Sequence, residues 1–153
     1  METSSATIMT RKTNKPRPLG GPRPHDFVEM MEQRRQGVPG YVTYGDFLDA
    51  FYRAAQEERQ QMIDKEPPDY GESVITFTAR ANLAATAEKL AHDYELTVPA
   101  WTEKPEYFLS ELYMCGRKAS TLIPELVTEL KKESPQEFLR RGLLVSANAL
   151  SRM

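Results

Sequence analysis

Two His-Asp pairs, His25-Asp26 and His92-Asp93, are the first residues whose types could do chemistry. Metal phosphohydrolases use such groups, but they need several of them converging on one or two ions. The chain holds only 2 His, so neither pair completes that ligand set and no metal is expected. His92 is placed instead near the C-terminal end of a helix, where the dipole favours a cation. Cys115, between Met114 and Gly116, is the sole thiol. A nucleophilic cysteine needs a base, and no Cys-His arrangement is evident. The acids Glu57, Glu58, Asp64 and Glu66 interleave with Arg59 and Lys65. That interleaving describes a solvated helix face rather than a carboxylate pair tuned for acid–base work. No phosphate-cradling glycine loop, dinucleotide fingerprint or zinc-protease motif is present. The expectation is a protein that is not an enzyme and takes no cofactor.

Residues suited to binding are easier to find. Arg140-Arg141, with Arg152 nearby in sequence, make a modest basic patch that could grip an acidic partner or a phosphate. Trp101, Phe108 and Phe138 are large anchors on segments that read as irregular. Beside Arg140 and Arg141 they have the composition of an interaction hot spot. The same side chains would serve equally well to close a core. A nucleic-acid alternative rests on two features. Arg11, Lys12, Lys15, Arg17 and Arg23 stud the N-terminal arm. Residues 84–101 loosely follow a helix-turn-helix spacing, although the second helix would carry Glu103 and Glu106 against Lys104 alone.

These residues must be positioned by helices. Phe27, Met30, Met31 and Arg34 recur at helical spacing over 26–36, and Gly37 with Pro39 ends that run. Gly40 to Val42 read as a connector. Thr43 to Asp46 then have the outline of a capping box opening a second helix, with Phe47, Leu48, Phe51, Tyr52 and Ala55 on one stripe. Its continuation over 57–65 buries Met62 and Ile63 and stops at Pro67-Pro68. The longest helix is expected over 72–94, with Val74, Phe77, Ala81, Ala84 and Tyr94 in phase. Pro99 disfavours helix at Val98, so 96–101 should be an extended turn seating Trp101. Thr102 could cap a short turn through Glu106, with Phe108 and Leu109 inward. Residues 110–119 read as irregular. A helix over 121–132 has Pro124 in its first turn, and Ser134-Pro135-Gln136-Glu137 is a capping box for a helix ending at Gly142. A final turn could start at Ser146. No repeat and no alternating strand pattern occurs, so the class is all-α: a compact, irregular helical bundle over 25–153.

The charge is uneven. Residues 1–24 hold five basic groups and one acid, a balance of +4, whereas residues 25–153 hold 15 basic and 21 acidic groups, a balance of −6. The arm is poor in large apolar residues and contains Pro16, Pro18, Pro22 and Pro24 with Gly20-Gly21 between them. Such a segment cannot offset its ordering entropy, so a disordered or polyproline-like arm is expected. Thr3 to Thr10 is too polar for a secretory signal. No run approaches the roughly 18–20 apolar residues that span a bilayer, so the expected location is cytoplasmic, without a membrane. At 153 residues with 1 Cys, the chain suits one domain and no disulfide framework.

Two stretches carry a resemblance. Residues 90–109 contain Val98-Pro99-Ala100-Trp101-Thr102-Glu103, Pro105 and Phe108-Leu109. Residues 133–152 contain Glu133-Ser134-Pro135, Phe138, Arg140-Arg141-Gly142, Val145-Ser146-Ala147 and Leu150. Over these two stretches the chain resembles a family of small uncharacterised bacterial helical proteins. The resemblance does not reach residues 1–40, and this chain has Glu95 where a glycine would suit a helix end. It implies an antitoxin-like or regulatory role beside a nucleotidyltransferase-like or toxin-like partner, with no catalytic residues carried over. The sequence thus favours a non-catalytic protein-binding or regulatory protein whose partner is another protein. The alternative is a DNA- or RNA-binding regulator using the arm.

Overall fold

The computed structural model describes residues 22–151; of the arm expected to be disordered over 1–24, residues 1–21 lie outside the described residues, as does Arg152, whereas Pro24 is buried. The class is all-α. Six α-helices occur among the described residues: α1 (Phe27–Arg35), α2 (Gly40–Arg53), α3 (Gln56–Asp64), α4 (Phe77–Asp93), α5 (Pro124–Glu133) and α6 (Gln136–Leu139).

α4 is the axis of the fold. Ala81, Ala84, Ala85, Ala87, Leu90 and Ala91 are all fully buried, so small side chains let the other elements close on this helix from several sides. Phe27, Met30 and Met31 from α1 join Phe47, Leu48 and Phe51 from α2 in the same core. Phe27 stacks on Phe47 at 4.6 Å and meets Trp101 edge-on at 5.8 Å. Trp101 is seated as its extended approach suggested, with Nε1 donating to the Ile63 carbonyl at 3.1 Å. That bond satisfies the polar end of an otherwise apolar ring.

Several sequence expectations are corrected. α2 starts at Gly40 rather than Thr43, because Pro39 already has the extended geometry of an N-cap. Thr43 is therefore inside the helix and buried, and its hydroxyl donates to Gln33 Oε1 at 2.6 Å rather than capping. Ala54 and Ala55 are extended, so α3 is a separate helix and Ala55 is exposed rather than part of the stripe. α4 begins at Phe77, five residues later than expected. The Thr76 side chain accepts from the Ala79 amide at 3.2 Å, a cap the apolar pattern concealed. Phe77 consequently lies at the exposed helix start, and Ile75 fills the core instead. α4 closes with Glu95 at φ 60 and the Leu96 amide reaching back to the Ala91 carbonyl at 2.8 Å. This is the bonding of a Schellman end, with glutamate in the place glycine prefers.

After α4 the chain makes two 3-10 turns, Ala100–Glu103 and Pro105–Tyr107. Thr102 lies within the first and bonds the Pro99 carbonyl, and Tyr107 is fully buried while Phe108 and Leu109 pack half-buried against the core, inward as expected. Residues 110–119, read as irregular, include a small antiparallel pair, β1 (Tyr113–Met114) and β2 (Arg117–Lys118). Its turn has φ 50 at Cys115 and φ 82 at Gly116, the positive values of a two-residue I′ hairpin. The Ser134 capping box does not form. Pro135 takes the N-cap position of α6, while Ser134 Oγ donates to the Leu130 carbonyl and accepts from the Val145 amide. Gly142 ends the segment at φ 88, where a Cβ would lie 2.7 Å from the Glu111 carbonyl oxygen, so no larger residue fits. Residues 147–150 form only a turn.

Candidate partner-binding surface

The polar residues fall into two groups: those that tie the chain to itself and those left facing outward. The first group centres on Arg141, whose side chain is 0% exposed. Its Nη1 donates to Glu88 on α4 and, at 2.8 Å, to the Glu137 carbonyl, while Nη2 donates to the Thr102 carbonyl at 2.9 Å. Arg140 binds both carboxylate oxygens of Glu88, at 3.1 and 3.2 Å, and also reaches Glu103. Both guanidinium groups lie over the Phe108 ring, at 5.1 and 4.8 Å from its centre. His92, one turn beyond Glu88, donates from Nδ1 to Glu137 Oε2 at 2.6 Å. Burial pushes the Glu88 carboxyl up, but the hydrogen bonds from Arg141 and Arg140 outweigh it and hold the group below its ordinary value. This cluster joins α4, α6 and the first 3-10 turn.

A second tie joins the segment after α3 to the turns after α4. Tyr107 Oη donates to Glu66 Oε2 at 2.6 Å, and Lys104 binds Glu66 Oε1 at 2.7 Å. Arg80 lies over the Tyr107 ring at 5.0 Å and donates to its hydroxyl at 3.2 Å. Here too burial raises the Glu66 carboxyl, and its bonds to Lys104 and Tyr107 bring it below the ordinary value. Burial raises the Tyr107 hydroxyl and the bond to Glu66 adds to that, so it stays a neutral donor.

The residues expected to meet a partner are therefore largely engaged within the chain. Trp101 (7% exposed), Phe138 (1%) and Arg141 are buried, and Phe108 is half-buried between two arginines. Arg140 and Arg141 do not form an open basic patch: their charges are answered by Glu88 and Glu103. The acid face on α3 is exposed at Glu57, Glu58 and Asp64, but Glu66 belongs to the Tyr107 tie. Cys115 is exposed at the hairpin tip, a thiol with no base in a hydrogen bond to it. The second helix of a helix-turn-helix does not form, because residues 100–107 make 3-10 turns only. Of the arm's basic residues, Arg23 is half-buried, and Arg11, Lys12, Lys15 and Arg17 lie outside the described residues. Among the described residues no group of His, Cys, Asp and Glu is arranged to hold a metal ion, and no helix is long and apolar enough to cross a membrane.

What faces outward is α5. Ile123, Leu126, Val127 and Leu130 recur at the spacing of one helical face. Only Leu130 is buried, whereas Ile123 is 66% and Leu126 40% exposed. The close helix pairs are α1 with α2 and α4 with α6, and α5 is not among them. It is nonetheless held at both ends. Pro124 at the first position fixes its start, and Ser134 ties its end to Val145. Before it, the Ala119 amide bonds the Leu112 carbonyl at 2.8 Å and the Lys118 ammonium pairs with Glu111. The sequence contained the periodicity of this helix. What it could not supply was the knowledge that Ile123 and Leu126 stay in water while Leu130 on the same face is buried.

Comparison with family models, with curated proteins and with solved structures finds no match for this chain.

Proposed function

We propose that the chain is a non-catalytic, partner-binding regulatory protein that meets another protein through the free apolar edge of α5. The observation that carries this reading is the exposure of Ile123 and Leu126 on a helix fixed at both ends, of whose own residues only Leu130 is buried. Large apolar groups held rigidly in water are what a partner surface needs, since little ordering entropy remains to be lost on binding. The absence of a matched catalytic pair in the sequence and the internal pairing of Arg140, Arg141, Glu88 and Glu66 support the same reading. The resemblance of residues 90–109 and 133–152 to small bacterial helical proteins supports an antitoxin-like role toward a toxin-like or nucleotidyltransferase-like partner.

The test is affinity capture of the tagged chain from its native host, with and without nuclease. A stoichiometric, nuclease-resistant protein lost on Ile123→Glu with Leu126→Glu is the expected result. A catch that vanishes with nuclease and weakens steeply with salt would instead assign binding to the basic arm. Retention of the same partner by the double variant would remove α5 from the contact.

A further inference from the structure

The charges beside the free edge of α5 narrow the kind of partner. Glu125, Glu129 and Glu133 recur every four residues, so they drift by only about 40° per step around a helix of 3.6 residues per turn and form one stripe. All three are exposed. Leu126 stands three residues before Glu129 and seven before Glu133, which places it on the same side of the helix. Leu126 thus borders the part of the acid stripe formed by Glu129 and Glu133, and Ile123 is the N-cap residue just before the helix.

Within the chain this stripe is only thinly answered. Lys132 approaches Glu129 at 3.5 Å, with both side chains mostly in water, and Glu133 Oε1 accepts a long bond of 3.4 Å from the Ala147 amide. Like charges four residues apart on a helix repel. An exposed apolar edge beside a row of repelling carboxylates is costly on both counts, and a segment carrying apolar anchors flanked by cations relieves both.

We infer that α5 docks a basic amphipathic segment of a partner protein, with apolar side chains on Ile123 and Leu126 and Lys or Arg against Glu125, Glu129 and Glu133. This rests on the reading of α5 as the contact surface and adds the chemistry of the occupant. Charge complementarity of this kind sets partner choice and association rate more than total affinity.

The full chain, isotope-labelled, is titrated with a short amphipathic Leu/Lys helical peptide and with a Leu/Glu peptide of the same pattern. The expected result is binding of the Leu/Lys peptide alone, amide shifts centred on residues 122–133, and weakening with added salt. The triple charge reversal Glu125→Lys, Glu129→Lys, Glu133→Lys should weaken binding by roughly tenfold or more, as loss of several facing charge pairs requires. A control reversal on α3, Glu57→Lys with Glu58→Lys, also removes acidic charge from the chain and should change affinity by less than about twofold if the site is local. Failure of the Leu/Lys peptide to bind, equal binding of both peptides, shifts centred on α3, or an unaffected triple variant would each overturn the inference. Capture of the native partner separates the two readings. A partner lost with Ile123→Glu and Leu126→Glu but kept by the triple reversal leaves the surface in place and removes the basic occupant.

Discussion

α4 and α5 are both regular helices, yet they stand at opposite ends of the range of burial. Ten of the 17 residues of α4 are buried, including Glu88, whereas of the 10 residues of α5 only Leu130 is. Their sequences suggest the reverse of what a simple amphipathic argument expects. α5 has the sharper division into apolar and polar sides, and α4 has almost none, because small alanines and threonines are spread around it. A helix enclosed from all sides needs no preferred face. A helix with a sharp face and little of its own chain to cover it leaves part of that face in water. The polar groups follow the same division. Charges near α4 are paired across long sequence separations, as Arg141 is with Glu88, while charges on α5 face water beside exposed Leu126.

The largest effect should come from breaking the paired side of this comparison. Arg141→Ala leaves the Glu88 carboxylate, 7% exposed, with only Arg140 and distant His92 to answer it. Removing one member of a buried ion pair costs about 3–5 kcal/mol, which chemical denaturation would resolve at once. A loss below about 1 kcal/mol, the range of surface pairs, would show that Arg141 is solvated and that α6 is not clamped to α4. Pairing Arg141→Ala with Glu88→Gln sharpens the point, since the double variant should lose clearly less than the two single losses combined.

A smaller effect follows from acid. Glu88 and Glu66 both have carboxyl groups held below their ordinary value in the folded chain. A depressed carboxylate contributes stability that is fully present above the unfolded value, about 4.3. That contribution is lost as pH falls below this value and through the lower folded one. Denaturation midpoints should therefore fall as pH drops from about 5 toward 3, and Glu88→Gln should flatten that slope. A slope unchanged by Glu88→Gln would place the acid sensitivity elsewhere.

How much of this was legible follows from how local each cause is. Phe27, Met30 and Met31, the proline opening of α5 and the extended approach to Trp101 were readable, because each depends on spacing or on a proline within a few residues. The start of α4 was not: Val74 fits the apolar period, yet Thr76 takes the cap and sets the first turn after it. The capping boxes at Thr43 and Ser134 failed for tertiary reasons, one hydroxyl being drawn to Gln33 and the other to Val145. Both hot-spot arginines were visible as residue types, but their partner Glu88 lies more than 50 positions away, so nothing local showed that Arg141 is interior. The α5 edge is periodic in the sequence and still could not be read as a surface, since exposure is a property of what the remaining chain leaves uncovered.

The smallest expected effect on stability is the most informative about that surface. Ile123→Glu and Leu126→Glu replace side chains that already meet water, so little burial is lost. Surface substitutions of this kind stay within about 0.5 kcal/mol. Each adds a carboxylate near the start of α5, where the helix dipole favours negative charge, although Leu126→Glu also adds to the repulsion along Glu129 and Glu133. Denaturation curves of the double variant should therefore nearly overlay those of the parent chain. A loss of 2 kcal/mol or more would mean that Ile123 and Leu126 are core residues in solution. α5 would then resemble α4 after all, and the contrast between the two helices would collapse. If the curves overlay while partner capture is abolished, the two regions have separate duties: α4 and its buried charges hold the fold, and α5 can be altered freely without cost to it.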